Sequence, residues 1–262
     1  MGKDYLHIKW GAKVNSLLLA LQFFTIIPMN KNLPMERRQI TGMYSIFPWL
    51  GAVIGAIACI VLYAQWSPLM TGFSIVLLGI LFSGGLHMDG FIDTSDAFFS
   101  YKDRMKRFEI LDDPRVGAFG VMAVVLLVVG KVIIVSEVLA ATSFHWILLI
   151  LIPYFSRVVL VVLFSCTNNA KTSGLAHFFK QKMNERAVLF SAVCHFLLGL
   201  AVLGMLTDWL IAVTVAVVLF GFICLFRNWA LRNFGGVTGD LLGASVEVSE
   251  VVLWLTLLLL LS

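Results

Sequence analysis

Long apolar runs alternate with short polar connections along most of this chain. Firm runs cover about Met43 to Tyr63, Leu69 to Leu86, Gly117 to Leu139, Phe144 to Phe164, 187–206 and 209–226. Each is close to the roughly 20 residues a helix needs to cross bilayer hydrocarbon. Helices satisfy their own backbone groups in lipid, so strands are not required. Two runs are shorter. Val14 to Met29 is slightly short for a span and lies between Lys3, Lys9 and Lys13 on one side and Lys31, Arg37 and Arg38 on the other. Positive charge on both flanks predicts an interfacial or re-entrant segment. The last run, 251–261, is long enough to enter a bilayer but barely to cross it. The pattern predicts an all-α, polytopic membrane bundle of six to seven transmembrane helices plus the N-terminal segment, as one membrane-embedded domain over residues 1–262.

Composition supports this class. Of the 262 residues, 60% are hydrophobic and 13% charged, against about 25% charged in soluble domains. No small-x-small cleavage site follows the basic start, so a signal peptide is not expected. Cys59, Cys166, Cys194 and Cys224 are scattered through apolar segments and read as small hydrophobes, not a disulfide or zinc framework. All the lysines and arginines except Lys131 and Arg157 lie in the N-terminal region or in three polar loops, 87–116, 165–186 and 227–249. The connections near 66, 140 and 208 carry none. The positive-inside rule therefore puts the three loops together on the cytoplasmic face of the cell membrane.

Candidate chemistry is concentrated in the first loop. In Gly85-Leu86-His87-Met88-Asp89-Gly90-Phe91-Ile92-Asp93-Thr94-Ser95-Asp96, offsets of four and seven put three aspartates on one helical face. A solvated acidic helix end has the same look, but carboxylates beside membrane sequence are costly and usually functional. Hard oxygen donors suit Mg²⁺, which is usually held by one or two carboxylates together with substrate phosphates. Arg115 lies between the acidic pair Asp112-Asp113 and a glycine-containing helix start, suited to phosphate, while Asp113 is either a ligand or a capping residue. Lys131 and Arg157 are charges inside spans that need partners, whether phosphate, the aspartates or another helix. The third loop contains Gly235-Gly236-Val237-Thr238-Gly239-Asp240, with Glu247 seven residues after Asp240 and on the same helical face. Its glycines let a ligand approach backbone closely. His87 and His177 are the histidines placed to matter, and no zinc-hydrolase or serine-elbow motif is present.

Three stretches together resemble the cobalamin synthases, the adenosylcobinamide-GDP ribazoletransferases. They are the acidic motif above, Asp113-Pro114-Arg115-Val116-Gly117-Ala118-Phe119-Gly120, and Gly235-Gly236-Val237-Thr238-Gly239-Asp240-Leu241-Leu242-Gly243-Ala244. The likeness extends from Phe24-Thr25-Ile26-Ile27-Pro28 and Phe47-Pro48-Trp49-Leu50-Gly51 to the C-terminus. Ile26 stands where the family often has arginine, Phe91 where it usually has a smaller residue, and Ala97 where it often has glycine. The resemblance implies a Mg²⁺-dependent transferase that joins adenosylcobinamide-GDP to α-ribazole, or its 5′-phosphate, with release of GMP. It implies catalytic roles for Asp89, Asp93, Asp96 and Asp240, and metal ligation by Asp89, Asp93, Asp96 and Asp113. Substrate contacts are expected from His87, Arg115, Lys131, Arg157, Gly236, Thr238 and Glu247. The expected partners are the two substrates and the lipid bilayer, with no nucleic acid. Homo-oligomerisation and association with other corrinoid-pathway enzymes are open.

Two other classes share some of these features. A CDP-alcohol phosphotransferase also clusters aspartates at a membrane, but its hallmark puts Ala-Arg soon after Asp-Gly, where this chain has Ile92-Asp93. A secondary transporter could use Asp240, Glu247 and Lys131 as ion sites, but its halves should repeat, and no repeat is evident. The one-sided placement of the loops is testable. Single cysteines at Ser100, Ser173 and Asn233, in a background lacking the native ones, should react with an impermeant reagent only after cells are permeabilised.

Overall fold

A computed structural model describes residues 11–261, so Lys3, His7 and Lys9 lie outside the described residues. Eleven α-helices follow one another among those residues: α1 (Ala12–Phe24), α2 (Arg37–Ile60, extended by a 3-10 turn, Val61–Ala64), α3 (Pro68–Phe82), α4 (Leu86–Ser100), α5 (Arg104–Leu111), α6 (Ala118–Ala140), α7 (Ile147–Cys166), α8 (Leu175–Lys182), α9 (Glu185–Leu206), α10 (Trp209–Phe234) and α11 (Gly239–Leu261). Six of them, α2, α6, α7, α9, α10 and α11, are long and apolar enough to cross a membrane. The pair α3 and α4, bent by 91°, makes a seventh if counted as one broken span. At 13 residues α1 is shorter than these and packs along α2.

Several boundaries differ from the sequence expectation; α2 begins at Arg37, not Met43, and α10 runs on to Phe234, not 226. The final span starts at Gly239, not 251, so Glu247 and Glu250 lie inside it. The second run ends at Phe82 instead of Leu86. The expected polar loops 87–116 and 227–249 are largely helical, formed by α4, α5, the end of α10 and the start of α11. Hydropathy misplaced α11 because carboxylates interrupt the apolar run, whereas in the fold those carboxylates have partners.

The central post is α7. Of its apolar window 83% is buried, against 17% for α6 and for α10, whose outer faces are left for lipid. It packs against α2, α9 and α11. Contact with α2 is unusually close, because a β-carbon on Gly51 or Gly55 would lie 2.2 Å from the carbonyl oxygens of Pro153 and Leu149. A small-xxx-small pair of this kind lets two membrane backbones approach and gain dispersion contact. Pro153, inside α7, supplies no N–H to the Leu149 carbonyl four residues earlier, and that carbonyl faces Gly55.

Among the buried side chains of α6, α7 and α11 is a balanced ion cluster. Lys131 Nζ donates to Glu247 Oε2 at 2.9 Å and to Glu250 Oε2 at 2.5 Å. The other Glu250 oxygen accepts from Arg157 Nη1 and from Ser156 Oγ, the latter at 3.1 Å. Two cations and two anions cancel, which makes their burial tolerable. Removing one partner of a buried pair typically costs about 3–5 kcal/mol, because a charge is left uncompensated. Glu250 serves both cations, whereas Glu247 serves Lys131 alone. Glu250→Ala should therefore lower the thermal midpoint in detergent by more than Glu247→Ala. Equal or reversed effects would show that the cluster does not hold the bundle as described.

Candidate active site

The acidic motif is aimed by an elbow. Gly84 and Gly85 have φ of 61° and 74°, left-handed values that favour glycine. Their amides return to Leu81 O and Ile80 O at 3.0 Å, ending α3 and releasing the chain at right angles as α4. The amide of Ile26, just after α1, donates to Phe82 O at 2.9 Å and braces the elbow. The three aspartates descend one side of α4 into different surroundings. Asp89 is exposed in the first turn, Asp93 is half-buried, and Asp96 is buried. A β-carbon on Gly90 would lie 2.6 Å from Asp240 O, so the first turns of α4 and α11 meet backbone to backbone. The charges of Asp89, Asp240 and Asp96 all act on Asp93, as does the opposite charge of Lys171. Asp96 turns toward α6, where Oδ1 accepts from the Gly120 amide at 3.3 Å. Gly117 leaves room for that carboxylate, since a β-carbon there would lie 2.2 Å from both oxygens.

The third motif forms the α10–α11 turn. Gly235, at φ 82°, ends α10, and its amide returns to Ala230 O and Leu231 O. Gly236 packs on the backbone of Asn168, and Val237 pairs in parallel with Asn169 through two 2.9 Å hydrogen bonds, Val237 N to Asn168 O and Ala170 N to Val237 O. That bridge fastens the α7–α8 connection to the start of α11. Thr238 caps α11 by accepting from Leu241 N and donates to Asp240 Oδ2, both at 3.2 Å. The loop cations hold helix C-termini. Arg107 donates to Tyr101 O and to Asn233, between the rings of Phe98 and Phe234. Arg104 reaches Leu231 O and Arg232 O. Lys180 donates to Phe164 O and Thr167 O at the end of α7, and burial pushes its pKa below the usual lysine range. Cations there complement the negative end of the helix dipole.

These elements enclose a cavity of about 420 Å³. First-turn residues of α4, α8 and α11 line it, so three helix N-termini open on one space. Unpaired N–H groups and the dipole make such ends favourable to anions. The polar lining includes Asp89, Asp240, His87, His177 and Lys171, whose ammonium holds Asp112 Oδ1 at 2.8 Å. Another part of the lining is aromatic and apolar, including Phe23, Phe24, Tyr44 and Phe179.

The sequence matches the family model described as cobalamin-5-phosphate synthase over residues 16–258. The chain belongs to that family. An adenosylcobinamide-GDP ribazoletransferase of Geobacillus thermodenitrificans is 35% identical over 250 residues, covering 92% of this chain and 94% of that protein. Proteins of the same name from Halalkalibacterium halodurans and Clostridium tetani are each 33% identical, over 92% and 91% of this chain respectively and 94% of each relative. No solved structure matches.

The cavity brings together His87, Asp89, Thr238 and Asp240 of the expected site residues. Asp93 adjoins them through its charge, and Gly236 shapes the turn behind them. Lys131, Arg157 and Glu247 are not among the lining residues and satisfy one another with Glu250. Asp113 and Arg115 form an ion pair of 2.6 Å outside the cavity lining, and hydrogen bonds from Arg115 hold the Asp113 carboxyl down at about 2. Sequence reasoning missed Lys171, Asn169 and the aromatic wall as site components. Only the fold brings the α7–α8 connection and α1 to the aspartates. The glycine contacts yield a paired test. Gly117→Ala should evict Asp96 and cost about 1 kcal/mol, the scale of a lost helix cap, with faster hydrogen exchange at the first turn of α6. Gly130→Ala, in the same helix with nothing within 4 Å of the added carbon, should leave stability unchanged or slightly raised.

Proposed function

We propose that the cavity is the active site at which this protein joins adenosylcobinamide-GDP to α-ribazole, or to its 5′-phosphate, completing the cobalamin and releasing GMP. The observation that carries this reading is the meeting of Asp89 and Asp240 with Lys171 beneath three helix N-termini. A nucleotide anhydride needs fixed positive potential for its phosphates, and a sugar hydroxyl needs an acceptor for its proton. Both are present. In the proposed step the ribazole 3′-hydroxyl oxygen bonds to the phosphorus on the cobinamide arm. The bond from that phosphorus to the bridging oxygen breaks, the electron pair leaves with GMP, and the hydroxyl proton passes to a carboxylate, Asp89 or Asp240. Lys171 and the first-turn amides of α4, α8 and α11 are placed to hold the phosphate oxygens. No covalent protein intermediate is required, and none of the cysteines lines the cavity.

The donor set fits Mg²⁺. Asp89, Asp93 and Asp240 offer hard oxygens, their charges bear on one another, and Lys171 is already engaged with Asp112. Among the described residues no three such side chains form a ready metal group. Magnesium usually takes only one or two carboxylates and completes its shell with phosphates and water. Bound there, it would neutralise charge on the anhydride as the bond to GMP breaks. The basic loops support a cytoplasmic opening in the cell membrane, where a soluble nucleotide substrate arrives.

Asp89→Asn and Asp240→Asn should each reduce GMP release by about 10²-fold or more, the scale of losing one group that acts on developing charge. Near-full activity in either well-folded variant at limiting Mg²⁺ would remove that residue from the mechanism. Chelation should abolish turnover and Mg²⁺ restore it. Transfer from a substrate with a chiral phosphorothioate at the attacked phosphorus should invert configuration; retention would require a phosphoenzyme instead.

A further inference from the structure

Part of the cavity lining is aromatic and apolar, chemistry unsuited to holding phosphates. Phe23 and Phe24 close α1, Tyr44 comes from α2, and Phe179 from α8. Their rings support one another: Phe23 meets Phe179 at a centroid distance of 5.1 Å, Phe24 meets Tyr44 at 5.8 Å, and Tyr44 meets Phe179 at 6.0 Å. Behind them Phe164 packs on Tyr44 and Phe47 on Phe24, so the wall is backed by further rings. At its edge, Asn169 lines the cavity with one end of its carboxamide 3.4 Å from His177 Nδ1. The other end, Oδ1, is buried and has no hydrogen-bond partner among the described residues. An orphaned buried polar atom is costly unless a ligand satisfies it.

We propose that this wall is the acceptor subsite, seating the flat base of ribazole against Phe23, Phe24, Tyr44 and Phe179, with the ribose hydroxyls reaching Asn169. The assignment rests on the cavity being the ribazole transfer site. The ribazole base is a benzimidazole with two methyl groups, no N–H donor and one free ring nitrogen. Guanine carries several donors and acceptors on its edge, which an aromatic wall with a single hydroxyl would leave unmet. A corrin with its amide side chains is several-fold larger than a nucleoside, whereas about 420 Å³ suits a ligand of nucleoside size. Seating the base on α1 and α8 keeps its sugar in the same cavity as Asp89 and Asp240. It also gives α1, too short to be a span, a part in substrate choice.

The test uses the full-length protein in detergent or nanodiscs. Phe24→Ala and Phe179→Ala should raise KM for α-ribazole by about tenfold, the scale of one lost base–aromatic stack. KM for adenosylcobinamide-GDP should stay within about twofold, which separates acceptor binding from general damage. On the unaltered enzyme, free dimethylbenzimidazole should compete with α-ribazole and not with adenosylcobinamide-GDP. An azidobenzimidazole should label peptides of α1, α2 or α8 on irradiation. A rise confined to the KM of adenosylcobinamide-GDP, competition with that substrate, or labelling elsewhere would overturn the acceptor subsite while leaving the transferase reading intact. Absence of ribazole-dependent GMP release from the unaltered enzyme would instead defeat the transferase reading itself.

Discussion

Burying charge in an apolar bundle is the constraint on which this structure turns. Four ionised groups on three helices are acceptable only because each has an opposite partner at hydrogen-bond distance. That requirement fixes α6 and α11 against the enclosed α7. It holds the rotation of α11 about its axis, because Glu247 and Glu250 must both face inward. With α11 held, Asp240 at its start is delivered to the cavity. A membrane interior gives little hydrophobic drive for helix to join helix, so polar pairs and close backbone packing do the work. Here the ion cluster supplies the first, and Gly51 and Gly55 against α7 supply the second.

At the other end of the same helices, the polar face is assembled from helix ends. Arg104 and Arg107 on the end of α10 and Lys180 on the end of α7 supply donors for last-turn carbonyls. The starts of α4, α8 and α11 open on the cavity. Cations therefore lie on negative helix ends, while the positive ends of three helices face the cavity. Among the described residues, Lys171 is the one lysine or arginine that lines the cavity, although the loops are so basic.

The helical class and most span positions were legible in hydropathy, because length and apolar content decide whether a helix can cross lipid. The start of α11 was not, since its carboxylates interrupt the apolar run and their compensation lies on α6 and α7, far away in sequence. Spacing placed Asp89, Asp93 and Asp96 on one face, and they are on one helix. It could not show that Asp96 answers the first turn of α6, because that contact depends on the absence of a side chain at Gly117. Lys131 and Arg157 were legible as charges in need of partners. Glu250, which supplies most of that need, is unremarkable in the sequence among its apolar neighbours. Lys171 and Asn169 carry no local motif and enter the site through the bridge between Asn169 and Val237.

That bridge has a consequence for what changes of length the chain can absorb. One end of α11 is pinned to the α7–α8 connection at Val237, and its middle is pinned to Lys131 and Arg157 by Glu247 and Glu250. A helix turns by about 100° per residue. One residue added or removed between the two pins would swing the carboxylates off their cations or tear Val237 from Asn169. The segment from Val237 to Glu250 thus behaves as a ruler of fixed length, tolerant of many side-chain exchanges on its lipid face but of no change in count.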